Sequence, residues 1–391
     1  MLTLKSGGGL KSEAEELTNI PEEIYMELQI PDKARELKYK AKEVIVKPHM
    51  TNEELEAKQG TYFTEKDADV IYDEDVDIYT EDEKGNKKLL AKLRKKVIDP
   101  DVIKIGWEGF WVAASPSRMR GAAAGPIQKT SKYWKKRTLA NTKVFSTGYL
   151  KENGEVSNMR VNNQVFSAVL GYFNATHLPK LPCRLTTYTR SHWKYFKHGL
   201  PFIEAIDKCF KTLVPERHEA QHKAASEKPL LQIEDTAFSS VTVNRNFRTG
   251  LHMDDGDYVG GYGNLSVIER GHYQGGFTLF PQYRIGFNVR TGDFLAMDVH
   301  QWHCNTAMYE TSEDKKKNKD LPRIHKSDIE TGTLGDDLPF SRVSFVCYLR
   351  EKLRECDDKE TRNYFKKIGF NPKNMTLDRS KTRKAPKTPA E

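Results

Sequence analysis

The chain has 391 residues, of which 37% are hydrophobic and 30% are charged, and its formal net charge is +8. This length allows one large domain with extensions or two domains, and the high polar content predicts that part of the chain is unpacked. No run of about 18 apolar residues occurs, so we predict no membrane span. The N-terminus lacks the apolar core of a signal peptide. The positive excess permits a polyanionic partner without requiring one.

The cysteines stand far apart and form no CxxC pair. They are Cys183, Cys209, Cys304, Cys347 and Cys356. An odd number without close pairs predicts neither a disulfide scaffold nor a zinc ribbon. The cysteine pattern therefore indicates a reducing, intracellular compartment.

Residues 1–98 alternate clusters of charge and contain few aromatic side chains. They predict a charged, partly disordered N-terminal arm, with a folded helper subdomain as the alternative. The composition of the chain changes at residue 99, and we predict one main domain over 99–355. Its first stretch, 102–114, is aromatic and β-prone, and it predicts one or two strands.

Two basic stretches follow. Arg118 and Arg120 stand beside a run of Gly and Ala, which would let the backbone approach an anionic ligand. The alternative is a turn with surface arginines. Residues 131–143 interleave lysines with Tyr133 and Trp134, which is typical of a nucleic-acid patch and equally of a solvated charged face.

The middle of the chain predicts helices. Residues 161–173, 186–196 and 202–214 carry helix-like apolar spacing in part. The third stretch has the clearest amphipathic pattern, so we predict a core helix that packs on a sheet.

From residue 236 the pattern changes to short β segments separated by turns, which predicts a double-stranded β-helix, or jelly roll, over about 236–351. Residues 312–340 are polar and predict an insertion that forms a surface loop. Residues 356–391 predict a disordered basic tail. The predicted fold class is therefore α+β, with a jelly-roll core, flanking helices and disordered charged arms.

A His and an Asp two residues apart, His252 and Asp254, share one face of an extended strand. A third ligand would come from His300 or His303, and the spacing leaves that choice open. Two His and one carboxylate form the facial triad of non-haem Fe(II) oxygenases. The alternatives are a cupin-like fold with buried histidines and no metal, and a zinc site with hydrolytic chemistry.

Arg342 opens the last predicted strand, and Ser344 lies on the same face of it. Iron oxygenases of this type need a co-substrate that supplies two electrons, and 2-oxoglutarate carries a distal carboxylate. A guanidinium can hold that carboxylate through two hydrogen bonds. The alternative is an arginine at a strand edge that faces solvent.

These motifs resemble the TET/JBP group of 2-oxoglutarate oxygenases, which includes J-binding-protein thymine hydroxylases and ten-eleven-translocation 5-methylcytosine oxygenases. The resemblance is carried by 246–258, 292–306 and 342–350, and 117–125 resembles an upstream motif of fungal and protist members. It covers about 105–355. The chain departs from the group in the insertion at 312–340 and in lacking the cysteine-rich zinc module of the animal enzymes.

The resemblance implies a set of site residues. It implies His252, Asp254 and His303 as Fe(II) ligands, since the last ligand of the group precedes an Asn-Thr pair. It implies that Arg342 and Ser344 anchor 2-oxoglutarate.

Three further residues take implied roles around the substrates. Arg118 would reach the 2-oxoglutarate or a phosphate. Asp257 and Arg350 occupy positions that face the substrate base, and a carboxylate there suits either a cytosine or a thymine.

The implied function is hydroxylation of the 5-methyl group of a pyrimidine in DNA, with Fe(II), 2-oxoglutarate and O2. The target, 5-methylcytosine or thymine, must be flipped from the helix to reach the metal. The implied partner is DNA, and the location is the nucleus if the organism is eukaryotic. The alternatives are a 2-oxoglutarate-dependent hydroxylase of protein side chains and a non-catalytic DNA-binding jelly roll.

Overall fold

The structure is a computed structural model that describes residues 20–81, 84–131, 134, 138–140, 143–174, 183–325 and 333–378. These residues form an α+β fold, as predicted. No helix in these ranges is long and apolar enough to cross a membrane.

The helices are α1 (Asn52–Ala57), α2 (Pro100–Phe110), α3 (Thr187–Ser191), α4 (Trp193–His198), α5 (Leu200–Leu213), α6 (Pro215–Ser226), α7 (Ser312–Lys317) and α8 (Asp358–Ile368). The strands before residue 200 are β1 (Lys42–Val46), β2 (Val70–Tyr72), β3 (Val76–Glu81), β4 (Lys87–Arg94), β5 (Pro116–Ser117), β6 (Leu139–Ala140), β7 (Gly148–Tyr149), β8 (Val165–Phe173) and β9 (Arg184–Leu185). The later strands are β10 (Ser240–Arg245), β11 (Gly263–Arg270), β12 (Gln274–Gly275), β13 (Thr278–Phe280), β14 (Ile285–Phe287), β15 (Phe294–Met297), β16 (Cys304–Asn305), β17 (Met308–Tyr309), β18 (Ser341–Tyr348), β19 (Phe370–Asn371) and β20 (Thr376–Leu377).

One large sheet dominates the fold. Its strand order is β1-β3-β4-β15-β11-β18-β10-β8-β5, and β9 also pairs with β8. The pairing is antiparallel except between β1 and β3. Strand β18 lies between β11 and β10 near the middle of this sheet, so its alternate side chains face two different layers.

A smaller sheet covers one face of the large one. Its order is β16-β13-β14-β2. Val267 and Leu295 of the large sheet share a buried apolar cluster with Phe280 and Phe287 of the small sheet. The two sheets therefore pack face to face, and residues of both, such as Leu265 and Thr278, line the cavity that contains the predicted metal ligands.

Helices cover the opposite face of the large sheet. Trp107 of α2 and Phe202 of α5 pack in one core cluster with Val243 of β10 and Phe345 of β18. The amphipathic stretch 202–214 is part of helix α5, as predicted. The stretch 161–173, in contrast, contains strand β8, because Val165 and Leu170 are buried in a strand that pairs with β10.

The prediction of strands at 102–114 is wrong, because helix α2 occupies most of it. The Asp99 side chain accepts a hydrogen bond from the Asp101 amide at the helix start, and Pro100 fits the first helical position. Ile103, Trp107 and Phe110 lie three or four residues apart and are fully buried. Aromatic composition alone suggested strands, whereas the capping residue and the 3–4 spacing specify a helix.

The predicted separate arm at 1–98 is wrong for residues 20–81 and 84–98, whereas 1–19 lie outside the described residues. Strand β4 pairs with β15 and so extends the large sheet, and β2 extends the small one. Three charges of this segment are paired in the interior, where Asp77 contacts both Lys92, at 3.5 Å, and Arg94, at 2.7 Å. Charged composition therefore did not signal an unpacked chain here.

Two other predictions of unpacked chain are corrected. In the predicted loop 312–340, helix α7 begins with a capping box at Thr311 and Asp314, and Ile324 is buried; residues 326–332 lie outside the described part. In the predicted tail, helix α8 buries Phe365 and Ile368 in the main core. Residues 379–391 of that tail also lie outside the described part.

The structure joins Cys183 and Cys356 by a disulfide, with their Cα atoms 6.1 Å apart. The prediction from the cysteines, that they form neither a disulfide scaffold nor a zinc ribbon, did not include this single pair. A sequence separation of 173 hides the pair from any argument based on local spacing. Cys209, Cys304 and Cys347 are free and buried.

Candidate active site

The predicted ligands His252, Asp254 and His303 lie together on the wall of a cavity of about 410 Å³. One potential ligand atom from each lies within 4.8 Å of the others. The two Asp254 carboxylate oxygens are each 3.7 Å from a histidine Nε2, one from that of His252 and the other from that of His303. The three donors surround one point, as a shared ion requires.

Backbone hydrogen bonds bring these residues together. The amide of His252 donates to the carbonyl of His303 at 3.0 Å, and the amide of His303 donates back at 2.9 Å. The Asp254 amide donates to the carbonyl of Val299 at 3.0 Å. The segment that follows β10 is thus fixed against the segment that follows β15.

Both histidines present the same ring nitrogen to the shared point. Nδ1 of His252 is 2.8 Å from the carbonyl oxygen of Gly250, and Nδ1 of His303 is 2.9 Å from that of Gln301. A carbonyl can only accept, so each Nδ1 carries the proton and each Nε2 keeps its lone pair. Burial and the neighbouring His303 lower the pKa of His252 to about 4, which favours the neutral, metal-binding form.

The geometry distinguishes His303 from His300, which the spacing did not. His300 Nε2 lies 3.2 Å from the carbonyl oxygen of Asp257, and its Nδ1 lies 3.5 Å from Asp298 Oδ1. The hydrogen bond to Asp298 raises the pKa of His300. Both ring nitrogens face acceptors, so His300 is held as a donor, away from the ligand cluster.

Arg342 lies on β18 and lines the same cavity, together with Ser344. Only 5% of Arg342 is exposed, yet its Nε and Nη2 atoms have no hydrogen-bond partner among the described residues. Gly276 has φ +73°, and a Cβ there would lie 3.2 Å from Arg342 Nε. A side chain at position 276 would therefore crowd the guanidinium of Arg342.

A buried network lies behind Arg342. Glu269 is its register partner on β11 and accepts hydrogen bonds from the Arg290 guanidinium at 3.1 Å, the Thr291 amide at 2.7 Å and the Tyr273 hydroxyl. Burial alone would raise the pKa of Glu269. Arg290 and these hydrogen bonds outweigh that effect, so the pKa of Glu269 lies below its ordinary value. One carboxylate between two guanidiniums leaves a single positive charge, which suits one further carboxylate.

Asp257 and Arg350 also line the cavity and form an isolated backbone bridge with each other. Oδ2 of Asp257 and Nε of Arg350 are buried and have no hydrogen-bond partner in the described structure. Desolvation and the charge of Asp254 raise the pKa of Asp257 well above its ordinary value. The carboxyl group of Asp257 and the guanidinium of Arg350 lie on one wall and can together bind the polar edge of a heterocycle.

Arg118 is not on the cavity wall, and the prediction that it reaches the co-substrate does not fit this structure. It donates to the Asn162 carbonyl at 3.0 Å and lies over the Trp134 ring at 5.7 Å. Arg120 lines the cavity instead and donates to Ser167 Oγ at 2.6 Å. The sequence flagged both arginines, but the choice between them depends on how the chain leaves β5.

Tyr348 is a second cavity residue that the sequence reasoning missed. It is buried on β18 and lies on the same strand face as Ser344 and Arg342. Burial and the nearby Asp257 raise its pKa. Arg342 and Ser344 are two residues apart on one strand face. The same alternation, continued four residues beyond Ser344, leads to Tyr348.

The predicted basic surfaces lie mostly outside the described residues. This holds for Lys132, Lys135, Lys136 and Arg137 of the patch at 131–143 and for the lysines and arginines from 379 onward. Within the patch, Trp134 is described and is buried. It is therefore a packing residue rather than a surface platform for bases.

Residues 168–351 match the family model Tet_JBP, described as the oxygenase domain of the 2OGFeDO superfamily. The middle of this chain is therefore similar to the oxygenase domain of that family. All three clustered ligands, Arg342 and Arg350 fall inside the matched range, whereas Arg120 precedes it. The superfamily implies Fe(II), 2-oxoglutarate and O2, and two histidines with one carboxylate are a donor set that suits Fe(II).

This chain is also similar to curated proteins of trypanosomatids. It is 35% identical over 143 residues to a "Thymine dioxygenase JBP1" of Trypanosoma brucei brucei, which covers 36% of this chain and 17% of that protein. It is 32% identical over 188 residues to a "Bifunctional helicase and thymine dioxygenase JBP2" of Leishmania infantum, which covers 48% of this chain and 15% of that protein. The matches thus span less than a fifth of these two relatives.

Among solved structures, a chain described as NgTET1 in complex with 5mC DNA aligns with 76% of this chain and 90% of its own. The sequence identity is 10% and the TM-score is 0.41.

Proposed function

We propose that the protein is an Fe(II)- and 2-oxoglutarate-dependent dioxygenase that hydroxylates the 5-methyl group of a pyrimidine in DNA. The observation that carries this proposal is one cavity in which His252, Asp254 and His303 surround a point while the buried guanidinium of Arg342 has unused donors. The three clustered ligands suit a cation, and the guanidinium of Arg342 suits a carboxylate. A 2-oxo acid carries both groups in a single molecule.

In this proposal His252, Asp254 and His303 hold Fe(II). Once bound, the iron and 2-oxoglutarate together activate O2 for insertion into a C–H bond. The two Nδ1 hydrogen bonds to backbone carbonyls fix the ring orientations, and a hydrogen bond from the other ring nitrogen strengthens an imidazole as a metal ligand. Three protein ligands would leave the metal able to bind the co-substrate as well.

Arg342 would bind the distal carboxylate of 2-oxoglutarate through Nε and Nη2, with Ser344 on the same strand face as a further donor. Glu269 and Tyr273 belong to the buried network that lies behind Arg342. Their network balances the charge of Arg290, so the charge of Arg342 is left for the co-substrate.

The pyrimidine would lie against Asp257 and Arg350. A carboxyl group accepts from an N–H of the base, and a guanidinium donates to a ring carbonyl. The ligand cluster lies on a cavity wall, and a stacked base cannot come that close. The nucleotide must therefore leave the helix, as it does for other enzymes that modify bases.

The two packed sheets fit a double-stranded β-helix, with the site at the open end where such folds bind ligands. DNA as a substrate implies a nuclear location in a eukaryote. The names of the trypanosomatid relatives favour thymine, although the matches cover little of those proteins.

The test is to incubate the purified protein with Fe(II), 2-oxoglutarate, O2 and DNA that contains thymine and 5-methylcytosine. The DNA is then digested to nucleosides for mass spectrometry. We expect a 5-hydroxymethyl nucleoside and succinate in equal amounts. Absence of both hydroxymethyl products, with the metal shown to be bound, would refute the proposal.

His303→Ala and His300→Ala are matched variants for this test. Both remove one imidazole from the same turn, but only His303 belongs to the ligand cluster. Product formation should disappear in His303→Ala and persist in His300→Ala. Incubation with a peptide mixture in place of DNA tests the alternative of a protein hydroxylase.

A further inference from the structure

A second cavity of about 640 Å³ adjoins the candidate active site. Four residues line both cavities, namely Met119, Arg120, Tyr348 and Arg350. The volume lies in the range of ~300–1,000 Å³ that is typical of small-ligand sites. None of the roles assigned above uses this space.

The second cavity is cationic. Arg120, Arg184, His192 and Arg350 line it, and no Asp or Glu is among the described residues of its wall. Asp257 of the first cavity partly balances Arg120 and Arg350, so Arg184 is the cation of this wall best placed for an anionic ligand of the second cavity. Hydroxyl groups of Ser117, Thr187 and others on the wall can also donate to an anion.

Aromatic rings complete the wall. Phe173 lies beneath the Arg350 guanidinium at 4.9 Å, and Tyr188 stacks on His192 with ring centroids 4.8 Å apart. Cations for a phosphate and ring faces for a base are the combination that single-stranded nucleic-acid sites use.

We infer that the second cavity binds the nucleotide next to the target nucleotide, with its phosphate on Arg184 and its base near Phe173. This inference rests on the proposed function, because it needs a DNA strand whose target base occupies the first cavity. A DNA strand has consecutive nucleotides, and two of them would occupy two adjoining cavities. Arg120 and Arg350 lie at the boundary, where the connecting backbone passes.

The consequence is a substrate in which two successive nucleotides are unpaired. The protein should therefore favour single-stranded DNA, or duplex DNA with a mismatch beside the target, over a fully paired duplex. Each nucleotide that is already unstacked lowers the cost of flipping.

Two variants test the cavity without touching the metal ligands or Arg342. Arg184→Ala removes a half-buried cation. Thr187→Glu adds an anion at an exposed cavity position in the first turn of α3, where acidic residues are tolerated or favoured. Arg190→Ala is the matched control, because Arg190 is exposed on the same helix and does not line the cavity. Thermal unfolding midpoints verify that all three are folded.

Binding is measured by fluorescence anisotropy with a labelled single-stranded oligonucleotide that carries the target base. Arg184→Ala and Thr187→Glu should each raise the Kd about tenfold, and Arg190→Ala should leave it unchanged. A second oligonucleotide series replaces one linkage at a time, on either side of the target, by an uncharged methylphosphonate. One of these replacements should weaken binding to the wild type but not to Arg184→Ala, because both changes remove the same contact.

Equal Kd values for Arg184→Ala, Thr187→Glu and Arg190→Ala would overturn the inference, whether or not the protein oxidises DNA. If the two cavity variants weaken binding but no hydroxymethyl product forms, the nucleotide site stands and the proposed reaction falls. Loss of binding that no methylphosphonate position reproduces would also overturn the assignment of Arg184 to a phosphate.

Discussion

Arg342→Met gives the sharpest test of how the cavity would bind its co-substrate. The buried guanidinium has two donors, Nε and Nη2, that lack partners in the described structure. Methionine has similar length but no donor and no charge. The change therefore removes the carboxylate contact while most of the packing volume is kept.

The expected magnitude follows from the two donors. Hydrogen bonds to charged groups contribute about 1.5–3 kcal/mol each, so two give ~3–6 kcal/mol before any compensation by water in the variant. A net loss of about 3–4 kcal/mol corresponds to a roughly 100- to 1,000-fold higher Kd for 2-oxoglutarate. Arg342→Lys keeps the charge but loses the two-point geometry, and it should lie between the wild type and Arg342→Met.

The assay is calorimetric titration of 2-oxoglutarate into Fe(II)-loaded protein without oxygen, supported by the KM for succinate formation. Without 2-oxoglutarate, Arg342→Met should be no less stable than the wild type, because buried donors without partners cost desolvation free energy. A Kd for 2-oxoglutarate within threefold of the wild-type value in Arg342→Met would refute the assignment of Arg342 to the carboxylate.

Three further predictions concern the surroundings of the site. His303→Ala should abolish stoichiometric Fe(II) binding, whereas His300→Ala should retain it, as measured by metal analysis after gel filtration. Glu269→Gln should lower the unfolding free energy by about 3–5 kcal/mol in urea titrations, because it leaves a buried guanidinium uncompensated, and Tyr273→Phe should cost only about 1 kcal/mol. Burial opposes ionisation of Asp298, but hydrogen bonds with His300 and Lys88 lower its pKa below the ordinary value. Its carboxylate therefore stabilises the fold above about pH 4, and this contribution is lost as the pH falls further. Asp298→Asn should be less stable near pH 7 and should show a shallower loss of stability below pH 4; an unchanged pH profile would contradict this.

Period-two alternation predicted that the side chains of His252 and Asp254 lie on one side of an extended segment, and in the structure they line one cavity together with His303. His252 and Asp254 required only that rule, and so did Arg342 and Ser344. The choice between His300 and His303 was different. It depends on a turn in which His300 binds Asp298 and the Asp257 carbonyl, and these contacts have no signature in spacing.

The failures share a physical cause, which is that composition does not reveal partners. Lys92 and Arg94 resemble residues of a solvated strand, but Asp77 neutralises both in the interior. By composition Trp107 and Phe110 suit a strand or a helix equally, and it is the cap at Asp99 and the 3–4 spacing of the buried residues that specify the helix. Likewise, Cys183 and Cys356 become neighbours only after the whole domain has folded.

Backbone carbonyls, rather than other side chains, orient the two histidine rings of the ligand cluster. The cluster can therefore lie in a cavity that also contains several arginines. Each histidine donates from Nδ1 to the carbonyl two residues before it, Gly250 or Gln301, and the two exchange backbone hydrogen bonds. A carbonyl cannot change its protonation state, so the orientation of both rings is independent of pH and of neighbouring charge. The nearby cations Arg120, Arg342 and Arg350 can therefore serve anionic ligands without disturbing the geometry that a metal ion needs.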